Sequence, residues 1–276
     1  MPTVSGGRYR RRSRSQHKEA GSINLFVERF VRWPRQFLRV EGYHLCMHSG
    51  LPRRLEAVAS QVIPGETMAD IGTDHAQLPL ALVRAGRVPF AVALDVVEGP
   101  LQIAVRATAA FRSQIDVRRS DGFAALKSKE AATVCICGMG GRTMAGILRQ
   151  GHGVWRDSKR LILQPQGMAE EVRMVMLEYG WQCTHGEIVE DRRKLFTVEV
   201  WEVGPAGAPW SEADLRWGRE IRQQPDPLYS VWLERELADI DLALKRMSDG
   251  GASDHPKAEE ARVGRAVIQA ERDRLG

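Results

Sequence analysis

Strand-like and helix-like patterns alternate through residues 51–203, and this alternation restricts the fold more than any other feature of the chain. Leu51–Val62 sets Leu55, Val58, Ala59 and Val62 on one helical face. A short strand pattern, Thr67–Ile71, stops at Gly72. Helical spacing returns in Leu78–Ala85 and ends at Gly86, and the β run Phe90–Leu94 reaches Asp95. The rhythm continues with a helix at Leu101–Phe111, strands at Ile115–Arg119 and Thr133–Cys137, and a helix at Thr143–Arg149. A strand at Leu161–Leu163 and a helix at Ala169–Tyr179 follow. Strands that recur with helices between them demand βαβ units and a parallel sheet. The last two strands, Trp181–Val189 and Leu195–Val203, are separated only by the charged turn Glu190–Lys194. That is too short for a crossover helix, so these two strands must pair antiparallel.

The expected fold is therefore α/β: a doubly wound, mostly parallel, Rossmann-like sheet ending in an antiparallel hairpin, the outline of class I methyltransferases. Ligands of open α/β sheets bind outside the carboxyl ends of the strands. Those ends read Asp70-Ile71-Gly72-Thr73-Asp74-His75, Asp95-Val96, Asp121-Gly122, Gly138-Met139-Gly140-Gly141 and Gln164-Pro165-Gln166. Gly72 leaves room for a ligand beside the first loop. A carboxylate at Asp95 can accept from ribose hydroxyls, as the acidic residue of dinucleotide folds does. Asp121 is placed to accept from an adenine amino group, with Gly122 allowing the turn. The pocket thus suits an adenosine cofactor. A pyrophosphate requires a G-x-G-x-x-G loop, whereas this loop, GTDHAQ, carries a carboxylate that would repel it. The same carboxylate favours an ammonium and a sulfonium. That contrast points to S-adenosylmethionine and away from a nicotinamide dinucleotide.

Residues 51–60 (LPRRLEAVAS), 69–79 (ADIGTDHAQLP), 94–100 (LDVVEGP), 120–122 (SDG), 136–141 (ICGMGG) and 161–165 (LILQP) resemble the bacterial tRNA (adenine-22-N1)-methyltransferase family. The likeness covers about residues 51–247. It implies S-adenosylmethionine as methyl donor and N1 of an unpaired adenine in the D-arm region of tRNA as acceptor. It also implies a C-terminal coiled-coil-like domain that helps to hold the tRNA. The expected cofactor residues are Asp70, Gly72, Thr73, His75, Asp95, Val96, Asp121, Gly122, Gly138 and Met139. Asp74 is the candidate catalytic carboxylate, equally suited to be a cofactor ligand. Arg53, Arg54, Gly140, Gly141, Arg142 and Gln166 are expected on the substrate side. Two departures stand out: Gln166 replaces the family's usual Asn, and the usual aromatic near Gln77 is missing. After the Thr133–Cys137 strand the chain also lacks the Asn/Asp-Pro-Pro-aromatic motif typical of exocyclic-amine methylation, which suits a ring nitrogen. Competing readings are a small-molecule methyltransferase on the same fold and a non-catalytic RNA-binding module.

Three regions are expected: a basic extension 1–48, a methyltransferase domain 49–204, and a helical hairpin domain 205–276. The net charge of +5 misleads until it is located: residues 1–50 hold ten Lys/Arg against three Asp/Glu, leaving 30 against 32 in the rest. The extension is read as a disordered tail, with a basic arm touching RNA or membrane as the alternative, and Met47 as a possible true start. In the tail, Leu233, Leu237, Ile240, Leu244 and Met247 form a heptad seam. Val263, Val267 and Ala270 share a face of the next helix, and Arg216, Arg219, Arg222 and Arg235 are candidate tRNA contacts. The four cysteines, Cys46, Cys135, Cys137 and Cys183, make no C-x-x-C pair. They read as small buried hydrophobes, so no metal is expected. No apolar run approaches the ~18–20 residues of a spanning helix, and no secretory h-region opens the chain. A cytoplasmic monomer or weak dimer, with tRNA as partner and no membrane, is expected.

Overall fold

The computed structural model describes residues 50–205 and 207–276. The expected basic extension and Cys46 lie outside these residues. The first element is helix α1 (Arg53–Gln61), followed by β1 (Met68–Ile71), α2 (Gln77–Arg84), β2 (Ala91–Asp95) and α3 (Glu98–Ala107). A 3-10 turn at Ala109–Phe111 leads into β3 (Ile115–Arg119) and then β4 (Thr133–Met139), α4 (Gly141–Trp155), β5 (Arg160–Pro165) and α5 (Ala169–Glu178). The long hairpin β6 (Trp181–Asp191) and β7 (Lys194–Val203) precedes four tail helices: α6 (Glu212–Trp217), α7 (Arg219–Gln223), α8 (Pro227–Asp249) and α9 (Pro256–Asp273).

The seven strands form one sheet in the order β3-β2-β1-β4-β5-β7-β6. The first five pair in parallel, β7 runs antiparallel to β5, and β6 runs antiparallel to β7. β1 and β2 are buried along their whole length, because helices cover both faces of a parallel sheet. Alternation along each strand selects the layer. Ala69, Ile71, Val92, Leu94, Val134 and Ile136 face α4 and α5, among Met144, Leu148, Trp155, Val172 and Met176. Met68, Ala91, Ala93 and Cys135 face the opposite layer, with Val58, Ala59, Leu82 and Ala104. The strand order reverses between β1 and β4, which opens a crevice at the carboxyl edge.

Several boundaries differ from the sequence expectation. α4 runs to Trp155 rather than to Arg149. Its last turns carry Gly151 and Gly153, which read locally as breakers. Trp155 is fully buried and its Nε1 donates to Leu148 O at 2.7 Å, so packing holds the helix past them. The hairpin turn narrows from Glu190–Lys194 to Arg192-Arg193, since Glu190 and Asp191 pair with Leu195 and Lys194. Between the β-hairpin and α8 the tail opens with two short helices rather than one, broken at Gly218 with φ of 90°.

The tail has its own core: Trp217, Ile221, Tyr229, Leu233, Leu237 and Ile268 pack on Ile188 of β6 and Leu195 of β7. Asp226 caps α8 by accepting from Leu228 N and Tyr229 N, with Pro227 at the first helical position. The heptad seam is buried at Leu233 and Leu237 but only partly covered at Ile240, Leu244 and Met247. In α9 the face shared by Val263, Val267 and Ala270 is the exposed one, while Ala258, Ile268 and Glu271 are buried. The reason is polar. Glu271 accepts from Tyr229 Oη at 2.8 Å and from Arg222 and Arg274, and this hub sets the rotation of α9.

Candidate active site at the carboxyl edge

The loop after β1 is shaped by backbone geometry. Gly72 has φ of 72°, and a Cβ there would stand 2.1 Å from Met139 Cε. Only glycine lets Met139 lie across the loop. Asp74 and Ala76 also adopt left-handed conformations, with φ of 52° and 54°. This turns the Asp74 N–H towards β2, where it donates to Asp95 Oδ2 at 2.9 Å. Asp95 Oδ1 accepts from Val97 N at 2.9 Å. One carboxylate therefore ties the first loop to the second, and each oxygen keeps a further lone pair. Val96 beside it is 51% exposed, an apolar side chain on the open side of the edge.

Below this rim, Asp70 is buried and accepts from Thr73 Oγ1 at 2.7 Å. Burial pushes its carboxyl up to about 7. The Thr73 hydrogen bond opposes that rise, and the neighbouring Asp95 and Asp74 add to it. The Asp74 side chain points to solvent, with its Oδ1 3.5 Å from His75 Nε2. Asp121 is exposed at the end of β3, and Gly122 is partly covered. Between them and the sheet, buried Ser120 accepts from Ala125 N and donates to Gly122 O, which holds that loop.

The substrate side is organised by a residue that sequence reasoning did not single out. Gln164, fully buried at the end of β5, accepts from Gly138 N at 3.1 Å and from Arg54 Nη1 at 3.2 Å. The only sequence signal for it is a polar residue closing the apolar run LILQP. Arg54 reaches over from α1. Its Nε lies 3.7 Å from Asp191 Oδ2, and its guanidinium sits 5.9 Å from the Phe196 ring centre. Arg54 Nη1 and Gln166 Nε2 both face the open side of Gly138. Gly140, Arg53, Arg142 and Gln166 are exposed around the same mouth. Gly141 is different. It is buried, and a Cβ there would fall 1.9 Å from Met168 O, so it packs against the turn after β5 instead of opening to the mouth.

The tail arginines expected to touch tRNA are engaged internally. Arg216 pairs with Glu236, Arg219 with Asp214, Arg222 with Asp214 and Glu271, and Arg235 with Glu190. Burial pushes the Cys135 and Cys137 thiols well up. Among the described residues no group of three or more His, Cys, Asp or Glu is placed to hold a metal ion. No described helix is long and apolar enough to cross a membrane.

The methyltransferase domain family model matches residues 51–198. The Bacillus subtilis tRNA (adenine(22)-N(1))-methyltransferase is 35% identical over 170 residues, 61% of this chain and 71% of that protein. This chain belongs to the tRNA (adenine(22)-N(1))-methyltransferase family. Among solved structures, a putative tRNA (m1A22) methyltransferase from Streptococcus pneumoniae is 34% identical. The match covers 82% of this chain and 100% of that one, with a TM-score of 0.74. The same protein in complex with S-adenosyl-L-methionine matches at 31% identity and a TM-score of 0.69, covering 81% of this chain and 96% of that one.

The residues present suit that cofactor. Met139 lies over Gly72 as a movable apolar wall, and a carboxylate with lone pairs left for ribose hydroxyls stands at Asp95. Three carboxylates surround a loop that has no pyrophosphate cradle.

Proposed function

We propose that this chain transfers the methyl group of S-adenosylmethionine to N1 of adenine 22 in tRNA. The observation that carries the reading is the Asp95 clamp, which holds the carboxylate-bearing loop 72–75 against the end of β2. A cationic adenosine cofactor is stabilised by such a loop and a pyrophosphate is not. The 35% identical relative, whose name specifies adenine 22 of tRNA, supports the acceptor.

When bound, the cofactor supplies a methyl group already activated by its sulfonium. The chain's own task is placement, which supplies most of the acceleration once reacting atoms are held ~3–3.5 Å apart. In this proposal Asp95 would accept from the ribose hydroxyls, Val96 would pack on the adenine, and Asp121 would accept from its amino group. Gly72, Thr73, His75 and Gly122 shape the pocket wall, and Asp70 closes its floor. Met139 and Gly138 form the wall between cofactor and target base. N1 lies on the Watson–Crick edge, so the target adenine must be out of its pair. Gln166, Gly140 and Arg54 face it, with Arg53 and Arg142 outside them for phosphates. N1-methylation leaves the base cationic, and Asp74 is the exposed carboxylate offered to that developing charge. The proposal includes a cytoplasmic location and a monomer or weak dimer.

The test is transfer of label from methyl-labelled S-adenosylmethionine to tRNA transcripts. Label should enter a transcript with adenine at position 22 and not one with guanine there. Equal labelling of both, or none of either, would remove adenine 22 as the target.

A further inference from the structure

The β6–β7 hairpin is longer than the sheet needs. Its last pair shared with β5 is Leu163 with Glu199. Five further β6–β7 pairs follow, from Glu187 with Val198 to Asp191 with Lys194. At strand rise that is about 15 Å of two-stranded ribbon. β6 runs parallel to β5, so the ribbon's tip projects from the carboxyl edge, where the site lies. The tip is Arg192-Arg193-Lys194, all exposed.

Arg192 and Arg193 have φ of 48° and 65°. A two-residue turn with both central residues left-handed is one that Asn-Gly fits, and two arginines, each carrying a Cβ, are an unfavourable choice for it. Among the described residues none of the three cations has a carboxylate partner, whereas the tail arginines at 216, 219, 222, 235, 262, 265, 272 and 274 do; in the tail only Lys245, Arg246 and Lys257, away from the site, are likewise without one. The two acids nearest the tip, Glu190 and Asp191, are each paired with an arginine from another element. Arg235 of α8 donates to Glu190 Oε1 at 2.9 Å and to Arg193 O at 3.2 Å. Arg54 of α1 lies beside Asp191. One face of the ribbon, Ile188 and Leu195, is buried in the tail core. Next to the tip, a cleft of about 980 Å³ is lined by Gln166, Arg193, Phe196 and Trp232 among others, so it runs from the substrate side of the site to the tail.

We infer that the ribbon tip, Arg192, Arg193 and Lys194, is a clamp for the RNA backbone beside the site, and that the tail core is the buttress holding the ribbon out. This rests on the proposed function, whose acceptor lies at the same edge. Three free cations on a rigid overhang, 15 Å or so past the sheet, are placed for phosphates that flank an extruded base. The paired arginines of the tail would have to give up carboxylates first.

The test uses a variant that removes charge while relaxing the turn: Arg192→Asn, Arg193→Gly and Lys194→Gln in the full chain. Because Asn-Gly suits the turn, its melting temperature should not fall, and calorimetry with S-adenosylhomocysteine should give the wild-type affinity. Filter binding should show the tRNA Kd raised at least tenfold, and the slope of log K against log salt reduced by about 2. Arg262→Gln with Arg272→Gln, on the tail, should leave the tRNA Kd within twofold. If wild type methylates tRNA and the tip variant binds it with unchanged Kd and salt slope, the clamp is wrong while the function stands. If wild type binds S-adenosylhomocysteine but neither binds nor methylates tRNA, the functional reading falls and the clamp falls with it.

Discussion

Gly140 and Gly141 stand side by side in a loop that reads as uniformly flexible, yet they have opposite surroundings. A Cβ on Gly140 would meet nothing within 4 Å, and one on Gly141 would collide with Met168 O. Gly140→Ala should therefore leave the urea midpoint unchanged. Gly141→Ala should cost about 3 kcal/mol, because the obstacle is backbone and cannot rotate away. Equal midpoints for the two variants would show that the turn after β5 is not packed as described. The pair also marks how far single residues are legible. That Gly72, Asp95 and Asp70 stand at the carboxyl edge was readable, because each lies at or beside the end of a strand pattern. That Asp95 spends a hydrogen bond on each neighbouring loop was not readable, since it depends on the left-handed turn at Asp74. Gln164 was read only as a strand end, and its bridging role went unread for a related reason: its two partners, Gly138 and Arg54, are 26 and 110 residues away.

At the scale of elements, the connection between sheet and tail rests on a buried ion pair. Arg173 of α5 donates through Nε to Glu199 Oε1 of β7 at 2.7 Å, and through Nη1 to the carbonyls of Leu215 and Arg216 in α6. Both side chains are almost wholly inaccessible. Removing one charge leaves the other buried and uncompensated, so Glu199→Gln should destabilise the protein by about 3–5 kcal/mol. The double change Arg173→Met with Glu199→Leu should recover much of that loss. Urea unfolding of both variants checks the order; a Glu199→Gln protein as stable as wild type would mean the pair does not secure the tail. Sequence patterning did identify the βαβ units and the antiparallel end, because apolar runs and glycine stops are local signals. It grouped Val263, Val267 and Ala270 on one face of α9 but could not say that this face is the exposed one. There a polar hub, Glu271 with Arg222 and Tyr229, outweighs a weak apolar stripe, and its members come from three separate helices.

For the whole molecule, the division of labour is between an edge that places a cofactor and a base, and a tail that completes the ribbon overhanging them. The tail core includes Ile188 and Leu195 of that ribbon, so cutting the chain near residue 211 would strip a buried face from the site's own hairpin. The charge balance agrees with a local grip on RNA: residues 51–276 carry no net excess of cations, so free arginines matter by position rather than by number. The measurement that tests the central claim most directly is nucleoside mass spectrometry of a tRNA incubated with this protein and S-adenosylmethionine. One 1-methyladenosine per tRNA, mapped to position 22, is the expected result. N6-methyladenosine in its place, a methyl group at another position, or an unmodified tRNA would contradict the account.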